Sequence, residues 1–464
     1  MAFKSVNLIE QHCKGGRHMT VITRTFRIVT GSLCISMLLI FHSPGPWSYA
    51  AESKTYEQIK ILVDILGYIK ENHVKDVETQ DLVYGAASGM VSVLDPFSQF
   101  MEPRMHKEMK VETKGEFGGL GIRISIKDNW LSVITPIPGT PAYKMGILPN
   151  DRIIKIEGES TKGISLMEAV EKMRGKPNTD VTITVAREVM DENKEPITET
   201  KDYTITRAII KIESVRGRML DDTIGYVRLI EFTRQTDIDL EKKLHELADE
   251  GMKNLILDLR NNPGGLLNIA VDVCDSFLAK DQLIVYTHGR DKARRMDYVA
   301  KRNNDFEQIP LIVLVNEGSA SGSEIVAGAL QDNKRAIIMG SRTFGKGSVQ
   351  SVISLSDGSA LRLTTAHYYT PSGRIIHREE DSEIWGVDPN ITVDVPREIQ
   401  AKLRAQEELI FEKGKKPAPG ISEEERVEDE LLNRAIQGFK TRELFRKMEI
   451  SKTAQTEPEQ TNDE

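Results

Sequence analysis

Hydrophobic residues near the N-terminus recur at the three- and four-residue spacing of an amphipathic helix. The repeat includes Ile59, Leu62, Val63, Leu66 and Ile69. The pattern ends at Asp95-Pro96, because a residue that precedes proline is disfavoured in the α conformation. Residues 51–112 are therefore predicted to form a helical N-terminal segment.

Residues 113–190 change to short runs of β-type residues separated by Gly, Pro and Asn. The predicted strands are Gly121 to Ile126, Trp130 to Ile134, Arg152 to Ile156 and Val181 to Val185. One helical stretch, Leu166 to Met173, interrupts them. The pattern predicts a small β-rich domain, followed by an exposed polar loop from Asp191 to Asp202.

Residues 205–396 alternate strand-like and helical patterns. The strand at Ile224 to Leu229 precedes a helix from Asp237 to Glu250, and the alternation continues to Met339. Such alternation indicates an α/β fold, in which functional sites lie at the carboxyl ends of the strands. The remaining residues, 397–464, are predicted to be a charged helical tail.

The first 50 residues have the pattern of a secretion signal. Arg24 and Arg27 precede an uncharged run from Ile28 to Phe41, and small residues end the segment at Ala50. The run is shorter than the ~20 residues that cross a bilayer as a helix, which favours a cleaved signal over a retained membrane anchor. Met19 is an alternative start to Met1. We expect an exported protein of the periplasm or cell envelope.

Composition narrows the classes of partner and cofactor. The net charge of −8 argues against nucleic-acid binding, which depends on clustered Lys and Arg. Cys274 is the only cysteine beyond the predicted signal, so neither an internal disulfide framework nor a cysteine-based zinc site is expected. No metal or cofactor is expected.

Three Gly- and Ser-rich segments follow predicted strands: Arg260 to Gly265, Asn316 to Glu324 and Thr343 to Gln350. Any one of them could be an ordinary loop, but three in one domain indicate a site. In the second segment Ser321 precedes a helix, where serine either caps the helix or faces N–H groups that stabilise negative charge. The N–H of Gly322, with that of Gly264 or Gly265, could form an oxyanion pocket.

A nucleophilic serine needs a base, and no histidine lies in these loops. Lys346 lies between two glycines and could serve if burial lowers its pKa from ~10.4. The spacing from Gly340 to Lys346 also matches a phosphate-binding loop, although Gly347 replaces the Ser or Thr that holds magnesium. A nucleotide-binding enzyme is therefore a second, less favoured hypothesis.

The ordered motifs resemble those of the carboxyl-terminal processing (tail-specific) serine peptidases. The resemblance runs from Thr55 to Val395 and includes Leu94-Asp95-Pro96-Phe97-Ser98 and the three loops. It implies a ClpP/crotonase-like catalytic α/β domain with an inserted PDZ domain. It makes Ser321 the nucleophile, Lys346 the general base and Gln350 the residue that holds the lysine by a hydrogen bond. Gly322 departs from the alanine usual at that position in the family.

The resemblance also makes the β-rich domain a PDZ module. Its carboxylate-binding loop would include Gly119, Leu120, Gly121 and Ile122, and Arg174 would transmit peptide binding. Successive N–H groups in a glycine-rich turn can hold a terminal carboxylate, and the following strand offers an edge for the peptide. The implied function is a serine endopeptidase acting on proteins with exposed C-termini. Expected partners include an adaptor or regulatory protein and further copies of the chain; the alternative is an inactive PDZ scaffold.

Overall fold

The structure is a computed structural model that describes residues 46–190, 195–291, 295–302, 305–379, 382–411 and 426–455. The predicted signal peptide lies outside these residues except for its last five positions. Among the described residues, no helix has the length and apolar character needed to cross a membrane. The chain divides into one compact unit ending at Ala86 and a second beginning at Ala87.

The first unit contains the predicted helices. Helix α1 spans Pro46–Asn72, and α2 spans Thr79–Ser92 and continues into the second unit. The Nζ of Lys70 donates a hydrogen bond of 2.9 Å to Oγ1 of Thr79. Several apolar side chains of α1 are solvent-exposed: Tyr56, Ile59, Leu62, Val63 and Tyr68.

The second unit begins with a short strand and a helix that lead into the β-rich domain. These are β1 (Gln99–Met101), α3 (Pro103–Lys114) and β2 (Glu116–Gly119). The next elements are β3 (Ile122–Lys127), β4 (Trp130–Pro136), α4 (Pro141–Lys144), β5 (Arg152–Ile156), β6 (Glu159–Ser160), α5 (Leu166–Met173), β7 (Asp180–Met190) and β8 (Pro196–Thr206). The sheet has the order β3-β4-β5-β7-β8, with β6 paired to β5. Inward-facing Leu131, Ile153 and Ile183 are fully buried in its core.

The prediction of an exposed loop from Asp191 to Asp202 is wrong from Pro196 onward, where the chain is exposed but forms a strand; residues 191–194 lie outside the described residues. Strand β8 starts at Pro196 and pairs with β7 in antiparallel register over its whole length. Only Tyr203 and Ile205 of β8 are buried, because the rest of the hairpin projects from the domain. A projecting hairpin has no apolar alternation, which is the pattern on which strand prediction depends.

The remaining elements belong to the α/β part of the second unit. They are β9 (Ala208–Lys211), β10 (Val215–Met219), β11 (Ile224–Leu229), α6 (Thr236–Asp249), β12 (Asn254–Asp258), α7 (Leu267–Asp275), β13 (Leu283–Gly289), β14 (Arg295–Val299), β15 (Leu311–Val315), α8 (Gly322–Asp332), β16 (Ile337–Gly340), β17 (Ser348–Ser354), β18 (Ala360–Tyr369), β19 (Ile391–Thr392), α9 (Arg397–Phe411) and α10 (Glu430–Gln455). The main sheet has the order β10-β11-β12-β15-β16-β19 and is parallel except for β10. An antiparallel sheet has the order β1-β18-β13-β14, and β17 also pairs with β18.

Both faces of the main sheet are covered by apolar side chains, as a parallel sheet requires. Leu255, Leu257 and Val313 pack in the cluster that includes α6, α7 and α8. Ile256 and Leu314 face the other side, where Leu431 and Phe439 of α10 cover them. The charged tail thus contributes to the core of this α/β part.

A buried ionic group joins that tail to the end of β12. Asp258 is fully buried and accepts hydrogen bonds from Tyr226 and Arg260, and Arg260 also contacts Asp429 at 2.8 Å. Burial alone would raise the pKa of Asp258, but the charges of Arg260 and Arg228 lower it to about 2. Arg260 begins the first glycine-rich loop, so this group fixes the start of that loop.

Candidate active site

Ser321 lies between β15 and α8, where the chain turns from the sheet into the helix. Its φ angle of 54° lies in the left-handed region, which a residue with a side chain rarely adopts. The N–H of Ser321 donates to the Glu324 carboxylate at 2.8 Å. Gly322 is the first residue of the helix, and its N–H donates no hydrogen bond within the described residues.

The loop after β12 lies against this turn. A side chain at Gly264, whose φ is +100°, would place Cβ 2.7 Å from Cβ of Ser321 and 2.8 Å from the Gly322 nitrogen. The Gly264 N–H donates to Oδ1 of Asn262 at 2.9 Å. The Gly265 N–H donates no hydrogen bond in the part of the chain that the structure describes. Gly265 and Gly322 therefore have free donors, and the oxyanion pocket stays a prediction.

Lys346 lies in the loop between β16 and β17 and is half-buried. Burial lowers the pKa of its ammonium and the charge of Arg362 adds to this effect, whereas Glu324 opposes both. Its Nζ lies 5.1 Å from the centroid of the Phe97 ring. Among the described residues, no hydrogen bond joins this Nζ to Ser321.

Gln350 lies on β17, four positions after the lysine. Its Nε2 donates to the carbonyl of Phe97 at 2.7 Å. No hydrogen bond between Gln350 and Lys346 occurs within the described residues. The role of Gln350 in holding the lysine therefore stays a prediction.

Glu324 joins the turn at Ser321 to the loop that contains Lys346. Sequence reasoning missed this role. Its fully buried carboxylate accepts hydrogen bonds from Thr343 Oγ1 at 2.6 Å, Gly345 N at 2.7 Å, and Ser321 N and Lys346 N at 2.8 Å each. Burial raises the pKa of Glu324, although these hydrogen bonds oppose the change. The Ser-x-x-Glu spacing at a helix start could have indicated the contact with Ser321.

Tyr368 on β18 was also missed. Its buried hydroxyl donates to the carbonyl of Lys346. Burial and the Glu324 charge raise the pKa of this phenol, while the neighbouring Ser321 side chain acts in the opposite direction. Tyr368 therefore lies beside both predicted catalytic residues and remains a neutral donor.

The loop predicted to bind a carboxylate connects β2 to β3 in the β-rich domain. Gly119 ends β2, Leu120 is buried in the domain core, and Gly121 has φ +76° and packs against Thr140. The N–H groups of Leu120 and Gly121 donate no hydrogen bond among the described residues. Carboxylate binding by these two N–H groups stays a prediction.

The strand and the arginine that were predicted to serve this loop lie next to it. Ile122 begins β3, which ends the order of its sheet and pairs only with β4 within the described chain. The guanidinium of Arg174, directly after α5, lies 4.3 Å from the ring centroid of Phe117. The structure therefore brings the carboxylate loop and an open strand edge together, and places Arg174 on the ring of Phe117 in β2.

The segment from Gly340 to Lys346 leads into strand β17. A phosphate-binding loop instead leads into a helix whose N-terminus faces the phosphates. The structure therefore does not support the nucleotide hypothesis.

Comparison with known proteins agrees with this arrangement. The family model described as Peptidase family S41 matches residues 223–393, a PDZ domain model matches 133–187, and the model for the N-terminal domain of activating protease CtpB matches 47–104. The carboxy-terminal-processing protease of Bartonella bacilliformis is 44% identical over 349 residues, which cover 74% of this chain and 77% of that protein. The carboxyl-terminal-processing protease of Synechocystis sp. is 37% identical over 411 residues, which cover 84% of this chain and 92% of that one.

Among solved structures, the photosystem II D1 C-terminal processing protease is 32% identical, with 73% of this chain and 89% of that chain covered and a TM-score of 0.42. The fold and the domain matches define a PDZ-containing serine-type peptidase. The chain belongs to the carboxyl-terminal-processing proteases of peptidase family S41.

Proposed function

We propose that the chain is a serine endopeptidase in which Ser321 is the nucleophile and Lys346 the general base, with substrates recognised by their C-terminal tails. The observation that carries this proposal is the arrangement around Ser321. The strained serine precedes Gly322 and lies against Gly264, and within the described residues the N–H groups of Gly322 and Gly265 donate no hydrogen bond. Glu324 ties its backbone to that of a half-buried lysine of lowered pKa.

The reaction follows from these groups. Oγ of Ser321 attacks the scissile carbonyl carbon, and neutral Nζ of Lys346 accepts the hydroxyl proton. The two N–H groups stabilise the oxyanion, and the protonated lysine then donates the proton to the leaving amine. Water activated by the same lysine hydrolyses the acyl-enzyme, which restores the serine.

The lysine must move before it can act. A general base has to lie about 2.6–3.2 Å from the proton donor, and Lys346 makes no hydrogen bond to Ser321 among the described residues. Its side chain instead lies over the Phe97 ring. We therefore propose that the lysine side chain rotates toward the serine before the reaction.

Tail recognition is assigned to residues 113–190. The substrate carboxylate accepts hydrogen bonds from the N–H groups of Leu120 and Gly121, and the peptide extends along the open edge of β3. The Arg174 side chain, held on the Phe117 ring, would connect peptide binding to the catalytic domain.

Localisation and assembly complete the proposal. The protein is exported to the periplasm or cell envelope by residues 1–50, and the peptidase domain spans 205–396. The exposed apolar residues of α1 favour self-association. An adaptor or regulatory protein is proposed as a further partner.

Cleavage of an unfolded protein that ends in an apolar tail tests the proposal. We expect Ser321→Ala and Lys346→Ala each to lower kcat/KM at least ~10³-fold, while fluorescence anisotropy shows unchanged binding of a tail peptide. Ser341→Ala, in the loop that precedes Lys346, is the matched control. Wild-type protein that binds the tail without cleaving it supports the scaffold alternative, and equal activity in Ser321→Ala refutes the proposed nucleophile.

A further inference from the structure

The turn at Asp95-Pro96-Phe97-Ser98 supplies no group to the chemical steps above. It connects α2 to β1 and lies more than 200 positions before the lysine in sequence. In the structure it contacts the lysine loop directly. This contact calls for an explanation.

Hydrogen bonds fix the turn from both sides. The Asp95 carboxylate accepts from Phe97 N at 2.8 Å, Ser98 N at 2.9 Å and Ser98 Oγ at 2.6 Å. Thr364 of β18 donates to Asp95 at 3.1 Å through its hydroxyl and to Ser98 Oγ at 3.0 Å through its N–H. Phe97 is therefore held in place against the sheet that carries β17.

Phe97 contacts the lysine segment with both its ring and its backbone. The ring centroid lies 5.1 Å from Nζ of Lys346, and the carbonyl accepts the Gln350 amide at 2.7 Å. An aromatic face attracts a cation within about 6 Å through its quadrupole. Its attraction for a neutral amine is much weaker. The site thus distinguishes the protonated lysine from the neutral one.

We propose that Phe97 is a positioning residue that holds the Lys346 ammonium away from Ser321 and releases the side chain when it loses its proton. This inference rests on the proposed role of Lys346 as general base. Phe97 sets the balance between a held, protonated lysine and a free, neutral one that can reach the serine. The turn therefore adjusts the pH at which the base becomes available.

The charges around the lysine come from several elements. Arg362 on β18 disfavours the ammonium and Glu324 on α8 favours it, while Asp95 and Glu379 lie near His377. The His377 ring packs edge-on to Phe97 with centroids 6.0 Å apart, and burial followed by the His367 charge lowers the pKa of His377. Burial thus disfavours the protonated form of His377, which would place a competing cation beside the Phe97 ring.

Replacement of the ring tests the inference through the pH dependence of kcat/KM. Leucine keeps the apolar contact and removes the quadrupole, so Phe97→Leu should lower the apparent pKa of the base by about one unit. Phe97→Tyr should keep the wild-type profile. Phe344→Leu is the matched control, because this exposed aromatic residue lies two positions from the lysine and not over its Nζ.

Fluorinated phenylalanines at position 97 supply a nearly isosteric second series. Each added fluorine weakens the quadrupole, so we expect the apparent pKa to fall in steps while the melting temperature stays constant. An unchanged profile across this series overturns the inference, and so does a Phe97→Leu variant that loses only stability. Cleavage that persists in Lys346→Ala would instead refute the proposed function, which keeps the two failures distinguishable.

Discussion

Replacement of Glu324 by glutamine tests whether one buried carboxylate joins the two catalytic loops. Oε1 accepts from Thr343 and Gly345, and Oε2 accepts from Ser321 and Lys346. A glutamine amide has only one acceptor oxygen. Its NH₂ group must therefore face one of these two pairs of donors.

The less costly orientation turns the NH₂ group toward Thr343, whose hydroxyl already accepts from Val387 N and can accept once more. It leaves the N–H of Gly345 unpaired and removes the acceptor of the Thr343 hydroxyl proton. An unpaired buried N–H costs about 1–3 kcal/mol, and hydrogen bonds to a neutral oxygen are weaker than those to a carboxylate. We therefore expect Glu324→Gln to lower the free energy of unfolding by about 1–3 kcal/mol. We also expect kcat/KM to fall at least ~10-fold, because Gly345 no longer fixes the backbone next to Lys346.

Urea unfolding and cleavage of a tail-bearing substrate measure the two effects. Glu317→Gln is the matched control: this exposed carboxylate lies in the loop that precedes α8 and accepts from Ser341 at 3.1 Å. Its substitution should change stability by less than about 0.5 kcal/mol. A Glu324→Gln variant that matches this control in both stability and kcat/KM would refute the reasoning.

Two further predictions concern neighbouring groups. Gly264→Ala should lower kcat/KM at least ~100-fold in steady-state cleavage, because its Cβ would lie 2.7 Å from Cβ of Ser321; half of wild-type activity would contradict this. Burial lowers the folded-state pKa of His377 below 6.5, so the unfolded state binds more protons and wild-type stability is lost as pH falls below 6.5. His377→Asn should show a smaller loss in urea unfolding between pH 7 and 5, and equal slopes would count against the assignment.

The elements of the catalytic domain could be predicted because its strands are buried on both faces. Leu311–Val315 is a continuous apolar run, and the helix that begins after Ser321 follows a Gly- and Ser-rich turn. Both patterns are local in sequence. Strand β8 escaped prediction because its exposed half has no apolar period.

The contacts that organise the site were not predictable, because they join residues that are distant in sequence. Glu324 reaches Gly345 across 21 positions, and Phe97 meets Gln350 across 253. The Phe97 motif could be matched to a family pattern, but nothing in its composition indicates a cation site. Such side-chain contacts exist only once the antiparallel sheet brings β1 and β17 to opposite sides of β18.

The central claim is that Ser321 forms a covalent acyl-enzyme during cleavage. Rapid acid quenching of wild-type protein mixed with an activated peptide ester, followed by intact and peptide mass measurement, tests it most directly. The account predicts an early adduct of the acyl mass on Ser321 that is absent in Ser321→Ala. An adduct on another residue, or equal turnover by the Ser321→Ala protein, would contradict it.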